Sequence, residues 1–167
     1  MKVFNFKEYQ EKARETAQYP IIGHPSIYPL LGLVGELGEF SMATEKPENE
    51  EELKKEAGDI LWYIANLAYE LEIDLGEIDV PDKFVPVDFY INEGASAICE
   101  YTKKVFRDDS GQFDVEKAKE LISKFIISYF AILYIWQLDI EEVAELNISK
   151  LRDRQQRGVI QGSGDNR

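Results

Sequence analysis

The chain has 167 residues, 44% of them hydrophobic, which is enough for one domain to bury a core of ordinary size. Against 19 Lys and Arg stand 32 acidic residues, and the resulting formal charge of −13 disfavours nonspecific binding to nucleic acid or to an anionic membrane surface. The single cysteine, Cys99, excludes an intramolecular disulfide, and residues 1–8 lack the apolar run of a signal peptide, so residence in the reducing cytoplasm is expected.

Periodicity and helix breakers predict helices over 5–18, 27–45, 49–73, 88–106, 114–137 and 139–157, an all-α helical bundle of about six helices with no competing strand pattern. A loop over 20–25 follows the first helix with the sole histidine, His24, which reads as a structural or solvent residue. One histidine also argues against zinc hydrolysis, Ser-His or Cys-His triads, and a di-metal oxidase with Glu-x-x-His pairs. No glycine loop with Lys-Ser or Lys-Thr is present to make a P-loop.

The second and third helices hold the most informative residues. Glu36 and Glu39, like Glu56 and Asp59, are spaced i, i+3, so each pair shares a helix face. Their neighbours are apolar or small, in contrast to Glu48, Glu50, Glu51 and Glu52, which read as ordinary surface near a helix start. Four carboxylates at the edge of a core repel one another unless protonated or neutralised, and a hard divalent cation with oxygen ligands is the usual neutraliser. A magnesium site at Glu36, Glu39, Glu56 and Asp59 is therefore expected, with Mn²⁺ as a substitute. Gly35, Gly38 and Gly58 adjoin these acids, each at a helical cost of about 1 kcal/mol relative to alanine. They are expected to let two backbones approach and to leave room for water and phosphate.

In the third helix Leu53, Ala57, Ile60, Leu61, Ile64, Leu67, Ala68 and Leu71 form an apolar stripe with the acids on its margin. Between 74 and 88, Pro81 and Pro86 with four aspartates mark a linker that separates two helical hairpins. The run over 125–136 reads as a helix buried on nearly all sides, too short to span a bilayer, which takes about 20 residues. Trp62 and the other aromatic residues at helical spacing read as core more readily than as stacking platforms.

The pattern Glu36-x-x-Glu39, sixteen intervening residues, then Glu56-x-x-Asp59 followed by Ile60-Leu61-Trp62-Tyr63 resembles the MazG-like all-α nucleoside triphosphate pyrophosphohydrolases. The opening Phe6-Lys7-Glu8-Tyr9-Gln10 and the ending from Asn147 onward look like that family's first helix and C-terminal tail. The resemblance implies Mg²⁺-dependent hydrolysis of a nucleoside triphosphate to the monophosphate and pyrophosphate. Glu36, Glu39, Glu56 and Asp59 would be the metal ligands and catalytic residues, Glu39 alternatively orienting the nucleophilic water. Lys150, Arg154, Lys104 and Arg107 are candidates for phosphate contacts and Asn147 for sugar or phosphate, a solvated helix face being the competing reading for each; Trp62 is a candidate for the nucleotide pocket and Gln10 on the first helix for base contact. The alternative function is a noncatalytic helical module that binds a nucleotide or a protein.

Residues 71–78 and 136–143 align at an offset of 65, which suggests an internal duplication. Residues 1–80 would then be the catalytic repeat, 81–157 a degenerate repeat and 158–167 a C-terminal tail. Lys103-Lys104, set against Glu45-Lys46, gives an offset of 58 in the first helix of that hairpin. Glu36, Glu39, Glu56 and Asp59 then correspond to Gly94, Ala97, Leu121 and Lys124, so one centre per chain is expected. The second copy would replace a half supplied by another subunit in one-copy relatives, while the apolar helix 114–137 favours a homodimer.

Overall fold

A computed structural model of the chain describes residues 2–46, 48–81 and 91–159. Its elements run β1 (Lys2–Asn5), α1 (Phe6–Glu15), α2 (Ile27–Ala43), α3 (Glu50–Glu70), β2 (Glu77–Val80), α4 (Ile91–Asp108), α5 (Val115–Ile135) and α6 (Ile140–Gln156). Among the described residues the architecture is all-α with six helices, as the periodicity indicates. Pro86 and the expected start of α4 at 88 lie outside the described residues.

One small sheet corrects the expectation of no strands. β1 and β2 pair antiparallel, from Lys2 opposite Val80 to Asn5 opposite Glu77. Each strand has only four residues, too few to display an alternating pattern, and β2 lies within the segment that reads as linker. The ladder, with the Lys7 amide donating to the Gly76 carbonyl at 3.1 Å, ties the first residues to the end of the α2–α3 hairpin.

Side-chain caps fix the helix starts. Asn5, Asn49, Asp114 and Asp139 each accept a backbone N–H from the first turn of the helix that follows. α3 and α5 stop short of their apolar patterns through the same device. Glu72 and Gln137 adopt φ of 57° and 56°, and Ile73 and Leu138 donate back to Ala68 and Leu133 at 2.9 and 2.8 Å.

α3 is the central element, packed against α1, α2, α5 and α6, while α4 and α5 form the second hairpin. Every residue of its predicted stripe is buried, as expected of a helix that packs on several sides. α5 departs from the expected all-round burial. Phe125, Ile126 and Tyr129 enter the core, but Ile127, Tyr134 and Ile135 remain about half exposed. Among the described residues no single helix is long and apolar enough to cross a membrane.

The two hairpins are built alike. α3 and α5 have 21 residues each, both hairpin links have six, and caps and C-terminal motifs coincide at an offset of 65. Because α4 continues to Asp108, Lys103 and Lys104 lie within the helix, and the 58 offset is not kept. At 65 throughout, Glu36, Glu39, Glu56 and Asp59 correspond to Tyr101, Lys104, Leu121 and Lys124. No acid quartet survives on either alignment.

The glycines divide differently from the expectation. A Cβ at Gly58 would sit 2.9 Å from the Asn147 Cβ, so α6 does approach α3 there. Beside Gly35 and Gly38 there is open space. The tightest contact is at Gly32, where a Cβ would fall 2.0 Å from the Tyr63 ring. Tyr63 is itself held beside Trp62, with ring centroids 4.9 Å apart, and Tyr28, at 6.4 Å. Gly32→Ala is expected to destabilise the protein by about 1–3 kcal/mol through overpacking. Gly38→Ala is expected to be neutral or to stabilise by up to about 1 kcal/mol through helix propensity. Chemical denaturation of the two variants checks the contrast.

Candidate metal centre

The antiparallel α2–α3 hairpin sets Glu36 against Glu56 and Asp59, and one carboxylate oxygen from each lies within 4.8 Å of the others. Glu56 is buried, Glu36 and Asp59 half-buried. Glu39 stands outside this trio, exposed one turn further along α2, although its charge still acts on Glu36. Three of the four acids singled out by spacing thus converge on one point, and the fourth borders it.

Burial and mutual repulsion dominate the electrostatics. The Glu36 carboxyl is raised from the ordinary 4.5 to about 8 by burial first, then by the charges of Asp59, Glu39 and Glu56. Burial also pushes Glu56 up, against the pull of Lys55, whose Nζ lies 3.0 Å from Glu56 Oε1. Lys150 Nζ donates to both oxygens of Asp59, at 2.7 and 2.6 Å, with both side chains less than one-fifth exposed. Asn147 Nδ2 donates to Asp59 Oδ1 at 2.8 Å, and the buried Tyr9 hydroxyl donates to Asn147 Oδ1 at 2.9 Å. A relay from α1 through α6 therefore holds Asp59 in place, and it forms because bare Gly58 lets α6 close on α3.

The donor set is all oxygen and all acidic, on two rigid helices, which suits a hard cation such as Mg²⁺ or Mn²⁺. It offers no nitrogen or sulfur ligand of the kind zinc prefers. Lys150 is at the cluster, and Arg154 is buried one turn beyond it on α6. Asn147 spends its amide on Asp59 and Tyr9, which makes it a residue that positions a candidate ligand.

Other candidates are placed elsewhere. Trp62 is 8% exposed, its Nε1 donating to the Ala13 carbonyl at 3.2 Å and to Thr16 Oγ1 at 3.0 Å, so it closes the α1–α3 interface. Lys104 and Arg107 are exposed on α4 and pair with Glu100 at 3.6 Å and Asp108 at 2.6 Å. Gln10 is buried and donates to the Ala65 and Ile73 carbonyls, a structural bridge. His24 takes Ser26 Oγ at 2.8 Å and packs against Phe106 and Phe113, in keeping with a structural part. Sequence reasoning missed Tyr9, Lys55 and the Gly32–Tyr63 contact. Lys55, adjacent to Glu56, was the one with a visible signal.

Fold and site together define an all-α hairpin protein with an acidic, oxygen-only cluster of a kind that could hold a cation. Residues 27–85, a segment that contains all four acids, match the family model of the MazG nucleotide pyrophosphohydrolase domain, the family its motif resembles. The chain is also 28% identical, over 95% of its length and 96% of the relative's, to the Gene 37 protein of Mycobacterium phage L5. No solved structure matches significantly.

The raised Glu36 pKa has a sign that can be tested. Between pH 4.5 and about 8 the folded chain retains a proton that the unfolded chain has lost, so the metal-free protein loses stability as pH rises through that window. Glu36→Gln is expected to flatten this slope and raise the melting temperature at pH 8 by a few degrees, at about 3 °C per kcal/mol for a chain of this size. Thermal melts of the two metal-free proteins across this pH range check it.

Proposed function

We propose that the protein is a Mg²⁺-dependent nucleoside triphosphate pyrophosphohydrolase that converts an NTP or dNTP and water to the monophosphate and pyrophosphate. The observation that carries this reading is the convergence of the Glu36, Glu56 and Asp59 oxygens within 4.8 Å, inside the segment that matches the MazG domain. Glu36, Glu56 and Asp59 are assigned as metal ligands, with Glu39 at the border of the site as a fourth ligand or as the group that orients the attacking water. A bound divalent cation supplies an acidified water and neutralises phosphate charge.

The chain's own residues divide the remaining work. Water adds to the α-phosphorus, the bond from that phosphorus to the α–β bridging oxygen breaks, and pyrophosphate leaves with the electron pair. Lys150, which donates to both Asp59 oxygens and would be freed if a cation were held there, is assigned to a phosphate oxygen, with Arg154 one turn beyond as a second cationic contact. Asn147 and Tyr9 keep the Asp59 carboxylate oriented throughout. The exposed Lys104 and Arg107 have no role in this scheme.

The likeness of the hairpins supports an internal duplication, with 1–80 as the catalytic repeat and 81–157 as a degenerate one that covers it. Residues 160–167 of the tail lie outside the described residues. We further place the protein in the cytoplasm, acting in nucleotide metabolism without nucleic acid or membrane, as a homodimer joined through the exposed strip of α5 that holds Ile127, Tyr134 and Ile135.

Incubation with canonical and modified NTPs and dNTPs in Mg²⁺, with all phosphate products separated, tests the reaction. Monophosphate with equimolar pyrophosphate is expected, lost with EDTA and in Glu56→Gln or Asp59→Asn variants that retain helical circular dichroism. Diphosphate with orthophosphate would contradict the cleavage position. Tight nucleotide binding without turnover, indifferent to these substitutions, would favour a binding module.

A further inference from the structure

The face of α3 that carries Asp59 continues beyond the acid cluster. Tyr63, Asn66 and Glu70 follow Asp59 at i+4, i+7 and i+11, all on one face. At 1.5 Å per residue Asn66 lies about 10 Å along the helix from Asp59. That span is comparable with the reach of a nucleotide from its α-phosphate to the edge of its base. The intervening wall is aromatic. Tyr63 rests on the bare backbone at Gly32, Tyr28 is tilted against it, and Tyr19 stacks on Tyr28 with centroids 5.0 Å apart and planes 8° apart.

Asn66 is the anomaly in this wall. It is 1% exposed, yet its amide is poorly used. Nδ2 donates to the Trp62 carbonyl at 3.0 Å, which leaves Oδ1 as the unmet half of the amide. Among the described residues Oδ1 has only the Tyr19 hydroxyl, at 3.5 Å, the limit of a hydrogen bond, and a ligand would take the place of that hydroxyl. That hydroxyl is better matched elsewhere, donating to Glu70 at 2.7 Å and accepting from Arg14 at 2.8 Å. A buried amide oxygen without a good donor is costly, whereas buried polar groups are ordinarily satisfied. A ligand that brings an N–H group to Oδ1 removes that cost.

We propose that Asn66 is the specificity-determining residue for the nucleobase, its Oδ1 accepting an exocyclic amine while Tyr19, Tyr28 and Tyr63 provide stacking surfaces. The Arg14–Glu70 pair holds Tyr19 at the mouth of this subsite, with Arg14 also lying over the Tyr69 ring at 4.5 Å. This assignment rests on the acid cluster being the phosphate end of the site. Bases bearing an amine are then favoured over the same bases without it, since a site built to hydrogen-bond an N–H group discriminates strongly against analogues that lack it.

The test uses nucleotides that differ by one amino group: ATP against purine riboside triphosphate, and GTP against ITP. Their turnover is measured in Mg²⁺, and binding of the corresponding monophosphates is measured by calorimetry. In the wild-type protein one pair is expected to differ by about tenfold or more in favour of the amine. Asn66→Ala is expected to bring that pair to within about twofold in turnover and in binding. Should Asn66→Ala not fold, Asn66→Ser, which retains a donor for the Trp62 carbonyl, is expected to give the same levelling. Equal handling of both pairs by the wild type would overturn the proposal, as would a loss in the variants that is uniform across all four nucleotides. Monophosphate binding that is levelled by the substitution, in a protein that turns over no triphosphate, would refute the hydrolase reading while upholding the role of Asn66.

Discussion

Three carboxylates share a few ångströms of half-buried space between α2 and α3, and most of what surrounds them exists to make that tolerable. Charges desolvated together repel strongly, and the protein answers in two ways. Glu36 retains its proton up to about pH 8, while Lys150 and Lys55 lie against Asp59 and Glu56. Neither answer fills the cluster completely. The open space beside Gly35 and Gly38 gives the α2 acids an approach from outside, and the exposed Glu39 borders it.

The rest of the bundle can be read as support for that arrangement. Gly58 brings α6 close enough for Asn147 to hold Asp59, and the buried Tyr9 anchors Asn147 from α1. The β1–β2 ladder secures the start of α1 against the end of the α2–α3 hairpin. In the second hairpin α5 repeats the length and cap of α3, and the link before it the length of the α2–α3 link, but tyrosine, leucine and lysines stand where the first hairpin has its acids. The second hairpin contributes buried surface and the Tyr129 hydroxyl, which donates to the Ala57 carbonyl beside Glu56 at 2.9 Å.

The helices were legible because their apolar faces are long and their caps ordinary. The α3 stripe from Leu53 to Leu71 is buried residue for residue. The acid pairs were legible because i, i+3 spacing fixes them to one face whatever the tertiary structure. What escaped depends on contacts between elements. Tyr9 is a common core residue until α6 is placed opposite it, and Gly32 is one more helical glycine until the Tyr63 ring covers it. Lys104 and Arg107 had the right charge for phosphate but lie on an exposed face of the other hairpin, a matter of packing that their own segment does not encode. The four-residue strands are too short for any periodic signal.

The most direct test of the account is calorimetric titration of the metal-free protein with Mg²⁺ and Mn²⁺ at pH 7, in buffers of different ionisation enthalpy, beside Glu36→Gln. If the carboxylate cluster is the cation site, binding releases about one proton in the wild-type protein because Glu36 must ionise, and the substituted protein binds weakly and releases none. Binding of equal strength in both proteins, with no proton released by either, would contradict it.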